Sequence, residues 1–547
     1  MSYDTSINGC SEGNNTARPM KKWNIVILLC LGQFVMVLDS TVMNVSMSEV
    51  AKDLGTTITG LQTAITFYTL TMAAFMMTGG KFGDIWGRLK AFRIGSVVYA
   101  LGSFLTAISG SLGMLIIGWS VIEGLGAVLV IPAIAALIAA NYTGKDRVVA
   151  FAAIGGISGA AAAAGPLIGG FMTTYLSWRY VFAGETVVMI LLLFFSRAIK
   201  DADLETKEKL DVPSAIFSAS GMALAVYGIL QSKTWGWIQP AAKPEINGHA
   251  IAPFGISIVA YLIVTGLIIL RIFYKRQQKL ESTNSYPLIK VSMFKLPHLR
   301  AGLLVLMSQY LITASLFFVI PVYLQIVLGY DALSTGVKII PLSVGLILMS
   351  VVGSRLAIKY TTKQIIKWGQ YCLILGSVII LASINEDLKG FMFGLGLFVA
   401  GGGLGLLASQ IGNVIMTSVK PNETSQAGGL QGTSQNLGSS LGTALIGSVL
   451  ITSLTAGFVS SINQSTLPQN IKTYIDDNTT AGVQVVSATQ VEDYAVSKGV
   501  SQSDAEQISQ IYKQSQIGGL REATFFIVIL AGGSLILSKN IPNKKIA

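Results

Sequence analysis

The stretch "IIGWSVIEGLGAVLVIPAIAAL", residues 116–137, holds a single formal charge, Glu123, with apolar or small residues on either side. As a helix rising 1.5 Å per residue it reaches about 30 Å, the thickness of a bilayer's hydrocarbon core. It therefore reads as a membrane-crossing helix with an acid in its middle. Outward from it the pattern repeats. The 547 residues are 52% hydrophobic and only 12% charged, with 58 glycines, and the mean hydropathy is +0.63. A soluble globule carries about twice that charged fraction. Fourteen apolar segments follow one another, at 23–46, 58–80, 91–110, 113–140, 148–174, 178–197, 212–231, 252–273, 300–328, 333–355, 365–385, 390–418, 426–456 and 522–539. They predict an all-α polytopic membrane protein with 14 transmembrane helices.

An even number of spans puts both termini on one side of the membrane. With that side cytoplasmic, most of the 38 Lys and Arg residues fall in inner loops and tails, among them Lys21, Lys22, Arg88, Lys90, Arg93, Lys145, Arg147, Lys275, Arg276, Lys279, Lys359, Lys363, Lys544 and Lys545. This is the positive-inside asymmetry of a plasma-membrane protein, and it accounts for the net charge of +11 without any nucleic acid. Cys10, Cys30 and Cys372 are too dispersed for a disulfide framework. His249 and His298 fall in predicted loops, so no metal site is expected. No nucleophile stands near a base, so neither an enzyme nor a cofactor is expected. The expected partners are the lipid bilayer, protons and a small amphipathic molecule, with the chain acting as a monomer.

A faint duplication organises the chain. "GGKFGDIWGRLKAF" (79–92) follows the second span, and "GSRLAIKYTTKQII" (353–366) follows the tenth, at the equivalent turn of a second six-span block. The division is a cytoplasmic tail (1–22), a six-helix bundle (23–197), a linker with two extra transmembrane helices (198–299), a second six-helix bundle (300–540) and a second cytoplasmic tail (541–547). Duplicated halves around a midplane site are transporter architecture. The basic connector 274–299 reads as lying against anionic headgroups. The second bundle includes an extracellular loop, 457–521, in which Ile508, Ile511 and Tyr512 recur at helical spacing, as in an amphipathic cap.

Gly80, Asp84, Gly87, Arg88 and Lys90 form G-x-x-x-D-x-x-G-R-x-K at the turn between spans two and three. The glycines permit a tight turn and close helix approach. Asp84 can pair with Arg88 or with a neighbouring helix end, giving a latch that holds in one conformation and releases in another. In "GAAAAAGPLIGG" (159–170), Gly165, Gly169 and Gly170 offer a surface for close helix crossing, and Pro166 removes a backbone hydrogen bond and bends the helix.

These stretches, with "VLDSTVMNVS" (37–46), "SWRYVF" (177–182) and "GTSQNLGSSLGTALIGS" (432–448), resemble the major facilitator superfamily, and within it the fourteen-span drug/proton antiporter branch. The resemblance covers nearly the whole chain. It implies two bundles that rock about a central site, driven by proton entry and exporting lipophilic or cationic compounds. It places Asp39 at the branch's first-span acid and "AGPLIGG" (164–170) at its fifth-span antiporter motif. The chain departs from the pattern where the family carries an Arg in the fourth span (here Ser120), a Gln (here Glu123) and, in the sixth span, an Asn (here Glu185). Ala152 and Ala161 stand where glycines are usual.

Asp39, Glu123 and Glu185 are the deep acids, all in the first half and all in the central-to-outer band of the membrane. An acid mid-span costs roughly 2.5–3.5 kcal/mol on insertion scales, so such groups face a bundle interior or a wet cavity. Apolar surroundings favour a carboxyl's neutral form and suit it to carrying a proton near neutral pH. Glu123 accordingly takes up and releases a proton, or meets a cationic substrate. The alternative is a protonated Glu bonded to a neighbouring helix.

The second half supplies neutral polar groups: Gln309 and Tyr310, then Ser409, Gln410 and Asn413, then Gln431, Gln435 and Asn436. Gln309, Tyr310, Gln410 and Asn413 are candidate substrate ligands, or else interhelical glue. Trp119, with Phe67, Tyr68 and Tyr310, offers ring faces to a lipophilic cation. The expected function is proton-coupled export of amphipathic or cationic drug-like compounds by alternating access. The rivals are a carrier for one metabolite, uncoupled to protons, and a membrane sensor or scaffold.

Overall fold

The computed structural model describes residues 22–543 except 57, 198, 200–208, 241–244, 247–248, 251, 284, 387, 389, 480–481 and 484. The two expected tails lie outside the described residues, apart from Lys22 and 541–543. The elements are α1 (Lys22–Asp53), α2 (Ile58–Trp86), α3 (Arg88–Ala107), α4 (Leu112–Asn141), α5 (Gly144–Tyr175), α6 (Arg179–Ser196), α7 (Val212–Trp235), α8 (Ile258–Ser282), α9 (Pro297–Val327), α10 (Ala332–Leu356), α11 (Thr362–Ser383), α12 (Gly390–Thr417), α13 (Thr424–Gln464), α14 (Gln469–Thr479), α15 (Ala488–Ser497) and α16 (Gln502–Leu537). A two-residue ribbon, β1 (Glu245–Ile246) against β2 (His249–Ala250), tips the α7–α8 connection.

Local chemistry sets many of the ends. Asp211 and Asp331 cap α7 and α10, their carboxylates accepting from the amides of Ser214 and Ser334, and Thr361 with Gln364 forms a capping box on α11. Gly87 divides α2 from α3 at φ 95°, a conformation that only glycine takes cheaply.

Among the described residues, twelve helices are long and apolar enough to cross a membrane. α2 and α3 stand outside that group, because the charges of the 80–93 turn and the threonines of α2 dilute their apolar runs. Burial differs sharply among the spans. The most apolar window of α4 is 78% buried, whereas that of α8 is 17% buried and shows its greasy side chains outward, as a lipid-facing helix does.

The packing repeats. α1 lies on α5, α2 on α4, and α3 between α4 and α6; in the second half α9 lies on α13, α10 on α12, and α11 between α12 and α16. The two groups meet where α5 packs on α10 and α12, and where α2 packs on α13. α7 and α8 pack on each other, and α7 leans on both α2 and α13.

Two segments between the spans carry structure of their own. The described residues of 457–521 are largely helical, as the spacing of Ile508, Ile511 and Tyr512 suggests. α13 runs on to Gln464, α16 begins at Gln502, and with α14 and α15 they enclose a separate core that includes Phe458, Ile462, Ile508 and Tyr512. Helices here continue past their apolar windows, which hydropathy alone cannot reveal. The 274–299 connector is docked onto protein. Gln277 accepts from the amide of Leu288 at 2.6 Å, and Lys290 Nζ donates to Glu423 Oε1 at 2.8 Å.

Candidate functional site

α3 and α4 cross at backbone contact, because glycines stand at the crossing. A Cβ on Gly102 would collide with the backbone of Glu123, and one on Gly126 would come within 2.6 Å of Tyr99 Cα. This seats Glu123 against α3. The same stretch of α4, Ile116–Glu123, is wound as a π-helix that ends at Glu123. π-turns are rare and concentrate at functional positions. The wider winding breaks the usual i, i+3 alignment of Ser120 with Glu123. Ser120 Oγ instead donates to the carbonyl of Ala64 on α2 at 2.7 Å.

Asp39 from α1, Glu123 from α4 and Glu185 from α6 converge, each offering an oxygen within 4.8 Å of the others'. All three are buried, at 0%, 0% and 2% exposure. Trp119 Nε1 donates to Asp39 Oδ1 at 2.7 Å, and its ring stacks on Tyr68 at 4.8 Å. Tyr99 donates to Glu185 Oε2 at 3.3 Å. Asp39 Oδ2, Glu185 Oε1 and both Glu123 carboxylate oxygens accept no hydrogen bond. Among the described residues no Lys, Arg or His pairs with any of the three. Three negative charges this close in a low dielectric repel too strongly to coexist, so the group shares protons. Each acid brings one oxygen to the meeting point, three ligand atoms in all, where Ca²⁺ takes six to eight oxygens and Mg²⁺ an octahedron.

The turn motif bridges the two halves. Arg88 Nη2 donates to the carbonyl of Pro421, just before α13, at 2.7 Å. A Cβ on Gly80 would lie 2.9 Å from Gly429 Cα, and one on Gly83 would lie 3.2 Å from Ser425 Oγ. Asp84 is buried and Lys90 exposed. Further contacts join the halves at this end: Ser350 Oγ donates to the carbonyl of Ala152 at 2.5 Å, and a Cβ on Gly428 would lie 2.8 Å from the Pro132 carbonyl. In α5, Gly165 abuts Thr41 and Gly169 abuts Val42 of α1, while Gly170 is buried in the same helix. The side chain of Pro166 lies outside the described residues.

Between the halves lies a cavity of about 160 Å³, with walls from α1, α4, α5, α9, α10, α12 and α13. That is room for on the order of ten waters. Gln309 and Tyr310 line it; Trp119, Gln410 and Asn413 do not. Trp119 is turned to Asp39, and Gln410 Nε2 donates to the Gly353 carbonyl at 3.1 Å, tying α12 to α10. Gln33, Thr313, Gln431 and Gln435 also line the cavity. Their signal in the sequence was a lone amide or hydroxyl within an apolar run, which Gln33 and Thr313 share with many packing residues.

Two helix groups with matching internal packing, sealed at one end around a shared cavity, define the scaffold of a secondary transporter. The family model described as Major Facilitator Superfamily matches residues 29–443, and the chain belongs to that superfamily. Relatives include drug-resistance and export proteins. The chain is 27% identical over 436 residues to "Puromycin resistance protein pur8" of Streptomyces alboniger, covering 79% of this chain and 82% of that one. It is 23% identical over 440 residues to "Riboflavin transporter RibZ" of Clostridioides difficile (strain 630), covering 80% and 90%. Among solved structures, the human organic anion transporter MFSD10 (TETRAN) shares the fold with a TM-score of 0.53 at 13% identity, covering 93% of this chain and 100% of that one.

Proposed function

We propose that this chain is a proton-coupled antiporter of the cell membrane that exports amphipathic compounds by alternating access, with fourteen spans and both termini cytoplasmic. The observation that carries this reading is the convergence of Asp39, Glu123 and Glu185, buried and without a basic partner. In this reading α2 and α3 span with the other twelve, since their partners α4, α6 and α13 do so. α7 and α8 are then an addition to two six-helix bundles.

The acids lie apart from the cavity, so substrate and proton do not compete for one place. α1 carries Gln33 and Val37 on the cavity and Asp39 in the acid group; α4 carries Ile134 on the cavity and Glu123 in the acid group. Discharging the acids lets these helices repack, and the repacking reaches the cavity wall. The drug-resistance and export relatives support export. A proton entering down a membrane potential contributes about 2.3 kcal/mol per 100 mV.

The test is substrate-driven proton flux in proteoliposomes for wild type, Asp39→Asn and Glu123→Gln. Both variants are expected to lose flux while still binding substrate; normal coupling in both sinks the assignment. A second reading, a carrier for one metabolite, is favoured by the riboflavin transporter among the relatives. Transport that ignores a protonophore would select it.

A further inference from the structure

The central cavity has a chemistry of its own. None of its 24 lining residues is charged. Its polar side chains are the four carboxamides of Gln33 on α1, Gln309 on α9, and Gln431 with Gln435 one turn apart on α13, and the hydroxyls of Ser158, Tyr310 and Thr313. The carboxamide oxygens of Gln309 and Gln431 are buried and accept no hydrogen bond. Buried acceptors left unmet are costly, and a ligand that donates to them recovers that cost. Each amide offers both a donor and an acceptor whichever way round it sits. Apolar side chains such as Phe151, Phe317 and Ile134 fill the rest of the wall.

The nearest acid group does not change this. Asp39, Glu123 and Glu185 do not line the cavity, and neither does Trp119, which bonds Asp39, nor Tyr68, which stacks on that indole. A permanent cation entering the cavity would meet no counter-charge there, and the few amide dipoles and ring faces of its wall replace only part of its hydration. A neutral molecule carries no such penalty.

We infer that the central cavity selects uncharged amphipathic molecules, an apolar ring body bearing several hydrogen-bond donors and acceptors, through its glutamine carboxamides, and excludes permanent cations. This narrows the proposed export function and rests on it; the lipophilic cations implied by the family resemblance fall outside the selected class.

The experiment uses the full chain, purified in detergent and also reconstituted. Binding is measured by fluorescence or calorimetry for a panel of neutral polycyclic phenols and amides, riboflavin among them, against the permanent cations ethidium and tetraphenylphosphonium. Neutral members are expected to bind and be transported, and both cations to fail. Gln309→Leu and Gln431→Leu should each weaken neutral binding about tenfold, while Gln309→Glu should admit ethidium. Size-exclusion profile and melting temperature show which variants are folded. Cation binding equal to or tighter than that of the neutral panel overturns the inference and leaves export standing. Failure of the folded wild type to bind or move any member of either panel overturns both.

Discussion

The indole nitrogen of Trp119 sits 2.7 Å from Asp39 Oδ1, and the same ring lies nearly parallel to Tyr68, with an interplanar angle of 5°. One side chain thus fixes the orientation of an acid and closes the bundle over it. Trp119→Phe keeps the stack and removes the indole donor from Asp39 Oδ1. A buried group deprived of its partner costs about 1–3 kcal/mol. The expected outcome is a lower melting temperature with proton flux reduced more than substrate binding. Unchanged flux would show that the orientation of Asp39 is immaterial.

Gly102 and Gly113 offer a matched pair. A methyl at Gly102 would strike the Glu123 backbone, whereas one at Gly113 would meet nothing within 4 Å. Overpacking of this kind costs roughly 1–3 kcal/mol. Gly102→Ala should lower thermal stability and transport together, and Gly113→Ala should leave both near wild type. Equal behaviour of the two would mean that α3 and α4 do not cross this tightly.

At the start of α7, Arg276 clasps Asp211 through two bonds of 2.8 Å. That pairing, helped by the bond from Ser214, holds the Asp211 carboxyl below its ordinary value. A carboxyl so depressed adds stability above its unfolded value of about 3.9, and the contribution drains away as pH falls through the folded value. Melting curves from pH 7 to pH 3 should therefore show wild type converging on Asp211→Asn below about pH 4. Asparagine still caps the helix, so the variant isolates the charge. A constant gap across that range would show that the charge of Asp211 is not its source.

The outer cap tests independence of the two cores. Phe458 meets Tyr512 edge-on at 5.5 Å inside it. Truncation of a buried Phe costs about 3–5 kcal/mol, so Phe458→Ala should open the 465–501 region to protease while export persists. Loss of export at full membrane expression would give the cap a part in transport.

Much of this architecture is legible in the residues. Runs such as 116–137 declare the spans by length, and the 80–90 motif marks the turn that Arg88 fastens to Pro421. Asp39, Glu123 and Glu185 stand out because acids in such surroundings need a reason. Their meeting was not legible, since it depends on the rotation of three helices. The π-wound turn leaves no pattern in "IIGWSVIE", so the bond from Ser120 to α2 cannot be read from residue spacing. The cap is legible only in the helical spacing of Ile508, Ile511 and Tyr512, because its solvent-exposed turns carry no apolar run. The separation of Trp119 from the cavity, and of Gln410 from any ligand, follows from side-chain direction, which residue type alone does not set.

The wide turn at Ile116–Glu123 also has a bearing on chain length. An α-helix advances by about 100° per residue, and a π-turn accommodates one residue more than the regular winding would. Deleting a single residue between Leu115 and Ser120 would let the segment rewind as a regular α-helix, with the turns on either side keeping their facing while the residues of the wide turn itself are redistributed around the acids. A variant shortened in this way would keep every carboxyl and every span, yet present a different wall around the acids.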